Sequence, residues 1–296
     1  MDSNKIICGD AAEILRTLPS ESVNCCITSP PYYGLRDYGT DGQIGLEQTP
    51  AEYIARLVDV FREVRRVLQN DGTLWIVISD SYAGRGIGAG IKPKDMIGIP
   101  WMLAFALRND GWYLRSAIIW HKPNPLPESC RDRPARSYEY VFLLSKSYHY
   151  YYDQAAVKEP VAVGTQERMK RAISDKHKYS HAPPGQPPQS FNLPRPNRSG
   201  VEVILADTRN LRDVWTVGKK GGFHGAHFAV FPVELITTCI LAACPAGGVV
   251  IDPFLGSGTT GVAAATLGRR YIGIDISPDY CRLAKERLKG VMETGI

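Results

Sequence analysis

Two loops far apart in the chain carry residue types that could do chemistry together. One reads Thr28-Ser29-Pro30-Pro31-Tyr32-Tyr33, the other Asp252-Pro253-Phe254-Leu255-Gly256-Ser257-Gly258-Thr259-Thr260-Gly261. Ser29 and the Pro30 carbonyl are hydrogen-bond acceptors on a backbone stiffened by Pro30 and Pro31, and Tyr32 offers a flat ring beside them. That set suits gripping an amino group on a planar heterocycle. An aromatic amine is a poor nucleophile because its lone pair is delocalised. Acceptors on its two N–H bonds would pull the nitrogen toward a pyramidal geometry and hold it in line for attack.

The second loop fits G-x-G-x-x-G and lies between an apolar run, Gly248–Ile251, and a helical pattern, the context a nucleotide-binding turn needs. Asp275 ends the next strand, 23 residues after Asp252, where a carboxylate can accept from both ribose hydroxyls. A dinucleotide and S-adenosylmethionine both contain adenosine, so this half alone does not choose between them. Asp252-Pro253-Phe254 favours the second. An acid at the strand end would neutralise a methionine ammonium but repel a pyrophosphate, and Phe254 offers a surface to adenine or to the methionine chain. Asp10, at another strand end, suits either the adenine amino group or the N-cap of the helix that follows.

The elements around these loops alternate. Strands are expected over Lys5–Cys8, Val23–Ile27, Thr73–Ser79, Tyr113–Trp120, Tyr138–Leu144, Gly248–Ile251 and Arg270–Ile274. Helices are expected over Ala11–Leu18, from Pro50 to about Leu68, near Asp95–Asn109, around Pro232–Cys244, over Thr260–Leu267 and near Pro278–Leu288. Thr49-Pro50-Ala51-Glu52 predicts a capping box, and Asn70-Asp71-Gly72 reads as the stop of that helix. The alternation predicts an α/β fold with a doubly wound, mostly parallel sheet. Ala83–Gly90 is glycine-rich and reads as a flexible connection rather than a second phosphate loop.

Composition narrows the partners. The 296 residues carry a net charge of +5, with 44% hydrophobic and 22% charged residues, ordinary for a soluble globular chain. The excess is local. Between Gln154 and Gly222 there are 12 Lys or Arg against 6 Asp or Glu, which leaves 23 against 24 elsewhere. Six prolines fall between Pro183 and Pro196 in the same stretch. This reads as an inserted, loop-rich segment that meets a polyanion, with 1–153 and 223–296 forming the core around it. The seven cysteines are irregularly spaced with no C-x-x-C, so reduced thiols are expected and no metal. No apolar run spans a membrane and the N-terminus lacks a signal-peptide pattern, which predicts a cytoplasmic protein.

Ser29–Tyr32 and Asp252–Thr259 together resemble the catalytic and cofactor motifs of the β-class DNA amino-methyltransferases, which modify adenine N6 or cytosine N4. Asp71-Gly72-Thr73-Leu74-Trp75, Ile118–Pro123 and His227–Pro232 are further similar stretches. The resemblance implies an S-adenosylmethionine-dependent, Rossmann-like enzyme that methylates an exocyclic amine of a flipped-out base in duplex DNA, as in restriction–modification. It assigns catalysis to Ser29, Pro30, Pro31 and Tyr32. Cofactor binding falls to Asp10, Phe231, Pro232, Asp252, Pro253, Phe254, Gly256, Ser257, Gly258, Thr259 and Asp275, and target recognition to 154–222. Arg131, Arg133, Arg136, Arg195, Arg198, Lys219 and Lys220 are the candidate DNA contacts. A homodimer is expected by analogy. Ser at the first catalytic position is the form usual for cytosine-N4 enzymes, but both chemistries need only an acceptor there, so the base stays open. An RNA or free-base methyltransferase, a nicotinamide dehydrogenase and a non-catalytic DNA binder are the competing readings. A carbon-5 cytosine enzyme would need Pro-Cys, and the chain offers only Cys244-Pro245.

Overall fold

A computed structural model describes residues 3–37, 39–84, 91–162, 164, 207–218 and 231–294. The chain divides into two compact units, Met1–Asp153 with Arg212–Ile296, and Gln154–Leu211. The first unit holds an eight-stranded sheet. Its strands are β1 (Lys5–Cys8), β2 (Val23–Thr28), β3 (Leu68–Ile78), β4 (Tyr113–His121), β5 (Tyr138–Ser145), β8 (Val214–Thr216), β9 (Val249–Asp252) and β10 (Arg270–Asp275). In the second unit a short antiparallel pair joins β6 (Glu159–Pro160) to β7 (Thr208–Arg209). The spatial order of the large sheet is β1-β10-β9-β2-β3-β5-β4-β8. Every pairing is parallel except those of β5 with β3 and β4.

Among the described residues six helices pack on it: α1 (Ala11–Thr17), α2 (Pro50–Val67), α3 (Ile99–Asn109), α4 (Val233–Ala243), α5 (Thr259–Thr266) and α6 (Pro278–Thr294). Side-chain alternation along the strands feeds two apolar layers. On β3, Leu74, Ile76 and Ile78 join the core shared with Leu15 of α1, Leu57 and Phe61 of α2, and Leu103 of α3. Trp75 and Val77, between them, are equally buried but lie outside that core, and Trp75 meets Trp215 of β8 with ring centroids 6.3 Å apart. Helix α5 packs on both α4 and α6, with α4 on β2 and β3 and α5 on β9 and β10. In α2, Tyr53, Leu57, Phe61 and Val64 are wholly buried, each worth roughly 1.5–3 kcal/mol.

The expected α2 cap is present: Glu52 N–H donates to Thr49 Oγ1 at 3.2 Å, and Thr49 N–H to Glu52 Oε2 at 3.1 Å. Three boundaries differ from the sequence reading. β3 starts at Leu68, directly after the helix, so Asn70-Asp71-Gly72 lies inside the strand rather than ahead of it. The β2–β3 register shifts between Val23 and Cys25, and the bulge absorbs those residues. α3 starts at Ile99 rather than near Asp95, because Asp80 Oδ1 accepts from Gly98 N–H (2.9 Å) and Ile99 N–H (3.1 Å), capping it there. Finally, Val214–Thr216 pairs with β4 as part of the main sheet, although it falls in the basic segment expected over 154–222. Residues 85–90 of the glycine-rich stretch lie outside the described residues.

From β9 the chain winds outward to β10, whereas from β2 it winds the other way to β3. The carboxyl ends of these two adjacent strands therefore diverge, and an open α/β sheet leaves its crevice at such a point.

Candidate active site

That crevice is an open cleft, and both loops line it: Ser29, Pro30, Pro31 and Tyr32 from one, Pro253 through Ser257 and Thr259 from the other. Asp10, Phe231, Asp275, Ile276 and Tyr280 complete the part of the wall nearest the cofactor loop's own strands. Residues separated by more than two hundred positions thus meet above the sheet edge.

The Ser-Pro-Pro-Tyr loop is braced from below. Tyr53 of α2, fully buried, donates its hydroxyl to the Pro31 carbonyl at 2.7 Å. Tyr32 donates to Glu139 Oε2 at 2.8 Å, and the other oxygen of Glu139 pairs with Lys122. Burial pushes the Tyr32 phenol well above its ordinary value and the neighbouring Glu139 charge adds to this. Tyr32 is therefore a neutral donor with a fixed ring plane. The outer wall is held by Arg56 of α2, which reaches the Gly42 and Gln43 carbonyls at 2.7 and 2.9 Å and Glu47 at 2.8 Å.

The cofactor loop is built by close approach. Gly258 at φ +90° ends the loop one residue before α5, a conformation open to glycine and strained for other residues. Leu255 N–H donates to the Ile274 carbonyl at 2.8 Å, and the Leu255 side chain lies where a Cβ on Gly273 would stand. Arg287 of α6 donates from Nη1 to the Ser257 carbonyl (2.6 Å) and hydroxyl (2.8 Å), gripping the turn from behind. Desolvation lowers the pKa of that guanidinium from its ordinary value.

Asp252 corrects one expectation. It does not line the cleft. It is 1% exposed, and its oxygens accept from Thr28 Oγ1 (2.6 Å), Thr260 Oγ1 (2.7 Å) and Phe254 N–H (3.0 Å). Burial raises its carboxyl from 3.8 to about 6, against the pull of those hydrogen bonds. It is a structural knot between β9, β2 and α5, and the ammonium-neutralising role read from its strand-end position has no geometric support. A strand-end residue faces into the crevice or beneath it according to local twist, which a motif does not encode. Gly258 and Pro232 likewise sit behind the wall, Pro232 buried at the start of α4.

Asp275 does line the cleft. Its Oδ2 accepts from Gly256 N–H (2.7 Å) and its Oδ1 from Ser277 N–H (2.9 Å), so each oxygen keeps a further lone pair for a ligand hydroxyl. Burial raises its pKa above the ordinary carboxylate value. Asp10 caps α1, accepting from Glu13 N–H at 3.0 Å, and it also lines the cleft. Phe254 lines the wall and meets Phe61 edge-on, ring centroids 6.5 Å apart.

The candidate DNA contacts fare differently. Arg133 pairs with Glu128 at 2.6 Å and lies 3.8 Å over the Tyr82 ring. Arg136 donates to the Asp80 carbonyl. Both cations are already engaged within the chain, and of the three arginines in this tract only Arg131 is exposed. Arg195, Arg198, Lys219 and Lys220 lie outside the described residues. Sequence reasoning missed Thr28, Glu139, Gly273, Ile276, Tyr280 and Arg287. Thr28 and Ile276 adjoin motif residues and could have been found. The others gave no local signal, because each acts across a long stretch of chain.

Among the described residues no cluster of His, Cys, Asp and Glu is placed to hold a metal, and no helix is long and apolar enough to cross a membrane. All seven cysteines are free thiols, five of them buried.

A DNA methylase family model of the N6/N4 class matches residues 23–286. The chain is 46% identical to the type II methyltransferase M.Cfr9I of Citrobacter freundii, over 95% of this chain and 86% of that one. It is 45% identical to M.SmaI of Serratia marcescens, over 97% and 91%. Among solved structures, a Thermus thermophilus DNA modification methylase in complex with S-adenosyl-L-methionine superimposes with a TM-score of 0.62 at 26% identity, covering 97% of this chain and 93% of that one. The cytosine-N4-specific PvuII DNA methyltransferase shares the fold, with a TM-score of 0.66 at 18% identity over 99% and 92%. A match of this extent, laid over two motifs that the fold brings to one cleft, leaves one conclusion: the chain belongs to the N6/N4 DNA methylase family and is an S-adenosylmethionine-dependent DNA amino-methyltransferase.

Proposed function

We propose that the chain methylates, at a specific sequence in duplex DNA, the exocyclic amino group of a base turned out of the helix, cytosine N4 or adenine N6. The observation that carries this reading is that Tyr32 and Phe254 line the same cleft. The wall fits S-adenosylmethionine: Asp275 has lone pairs left for ribose hydroxyls, Ile276 and Phe254 give apolar surface for adenine, and Asp10 is a further acceptor. That molecule supplies a methyl group already activated as a sulfonium, so no covalent enzyme intermediate is required.

The chain's own residues then position the acceptor. Ser29 Oγ and the Pro30 carbonyl take the two N–H bonds of the amine, Tyr32 stacks on the base, and the braced loop keeps the nitrogen facing the cofactor side. Closing such a site around the base removes water from the nucleophile. Segment 154–222 reads the target, supported by its concentrated positive charge. Self-association as a homodimer and a cytoplasmic location complete the proposal.

Incubation with duplex DNA and methyl-labelled S-adenosylmethionine, followed by nucleoside analysis, tests it. Label in N4-methylcytosine or N6-methyladenine is expected. Label confined to matched RNA, or absent from both, would overturn it.

A further inference from the structure

The loop between β4 and β5, residues 122–137, carries an apolar side chain that the core does not use. Leu126 is 83% exposed, more than any other large apolar side chain among the described residues. A single exposed leucine is ordinary. This one is set apart by where its loop stands and by how it is held.

β5 runs antiparallel to both β3 and β4, so β4 runs the same way as β3 and β2. The loop therefore leaves β4 at the carboxyl edge of the sheet, beside the catalytic loop. Two contacts join them: Lys122 pairs with Glu139, and Glu139 accepts the Tyr32 hydroxyl at 2.8 Å. Leu126 is four residues past Lys122, a stretch that spans at most about 14 Å. That is less than half of a duplex turn of about 34 Å. A duplex that delivers a base to Tyr32 passes within reach of Leu126.

The tip is stiff. Every residue in Pro123-Asn124-Pro125-Leu126-Pro127 is a proline, with φ fixed, or precedes one and is kept extended. The loop is also fastened on both sides of the tip. Lys122 N–H donates to the Ser137 carbonyl at 2.7 Å and closes the base of the loop. Beyond the tip, Glu128 pairs with Arg133 at 2.6 Å and accepts from Arg136 N–H at 3.4 Å, and Arg136 donates to the Asp80 carbonyl. An apolar side chain is thus presented to solvent on a braced support.

A base turned out of a duplex leaves a gap in the stack, and the lost stacking has to be offset. Apolar side chains inserted between base steps, leucine among them, can fill such space. We propose that Leu126 enters the stack beside the target and occupies the space that the extruded base has left. The inference rests on the base extrusion proposed above and deepens it. Leu126 acts on the duplex and not on the reacting amine, so it is a positioning residue.

The test uses the full chain, S-adenosylmethionine and two duplexes carrying the site that the wild type methylates. One is fully paired, and in the other the target base faces a mismatched partner. Rates are single-turnover at enzyme excess so that slow variants remain readable. Leu126→Ala is expected to slow transfer to the paired duplex by about tenfold or more, but to stay within about twofold of wild type on the mismatched one, where the base is already loosely held. Leu126→Met, which restores a long apolar side chain, should recover most of the rate. Leu126→Asn, of similar size but polar, should not. Melting temperature and S-adenosylmethionine affinity should match wild type in all three variants, which separates this role from a merely structural one. A wild-type rate in Leu126→Ala on the paired duplex, or equal slowing on both duplexes, would overturn the proposal. A wild-type chain that transfers no methyl group to DNA would instead sink the functional reading beneath it.

Discussion

Thr28 and Asp252 lie 224 positions apart and share a 2.6 Å hydrogen bond under the floor of the cleft. Thr28 is the last residue before Ser29, and Asp252 the first of the cofactor loop, so one contact fixes the spacing between acceptor site and cofactor site. Asp252 has a folded-state pKa of about 6 against an ordinary 3.8. The fold thus holds this proton more tightly than the open chain does. The associated stabilisation is complete below about pH 4 and is lost as pH rises through about 6, on the order of 3 kcal/mol. Asp252→Asn keeps the shape and removes the titration. Denaturant melts at several pH values should show the wild type losing stability relative to Asp252→Asn between about pH 4 and 7, and parallel curves would contradict this.

Ser29→Ala removes an acceptor for the amine and nothing from the cofactor wall. Methyl transfer should fall by roughly a hundredfold, while S-adenosylmethionine titration by calorimetry should give an affinity within about twofold of wild type. Equal losses in both would mean that Ser29 only shapes the loop.

Arg287 reaches from α6 to hold the Ser257 carbonyl and hydroxyl inside the glycine turn. Arg287→Met leaves the aliphatic stem and deletes both hydrogen bonds. Cofactor affinity is expected to weaken about tenfold, the loss of roughly one charge-assisted hydrogen bond's positioning, with DNA binding unaffected. A gel-shift assay beside the cofactor titration separates the two.

Gly273→Ala should be more damaging than its size suggests. The new methyl would overlap Leu255, whose backbone is held to Ile274, so the cofactor loop must move. Overpacking of this kind costs about 1–3 kcal/mol. A lowered melting temperature that cofactor no longer raises is the expected pair of results. An Ala variant with wild-type cofactor affinity would show that the loop tolerates displacement.

DNA affinity should fall steeply as salt rises, since each phosphate contact releases a counterion. Neutralising Arg131, the exposed arginine of its tract, should reduce the slope of log affinity against log salt by about one. Arg133→Gln, whose cation is paired with Glu128, should change the slope little and stability more. A flat salt response would remove the polyanion argument.

Read residue by residue, the sequence showed what the chemistry is made of. Ser29–Tyr32 and Gly256–Thr259 are local motifs whose shape follows from proline and glycine, and they line the cleft apart from Gly258. Nearly every strand and helix of the core was legible, because strand periods and caps such as Thr49–Glu52 are also local. Boundaries failed where a distant group ended or began an element, as Asp80 does for α3 and as pairing with β4 does for Val214–Thr216.

By itself, then, the chain's order of residues determined the alternating sheet, the two loops and the positive segment, since these depend on neighbours within a few positions. Tertiary structure alone decided that Asp252 lies beneath the cleft while Asp275 lines it, that Arg133 and Arg136 are engaged by the chain, and that Glu139 stands behind Tyr32. The physical reason is that burial and hydrogen-bond partnership belong to pairs of residues. A pair hundreds of positions apart leaves no trace in either member's local sequence.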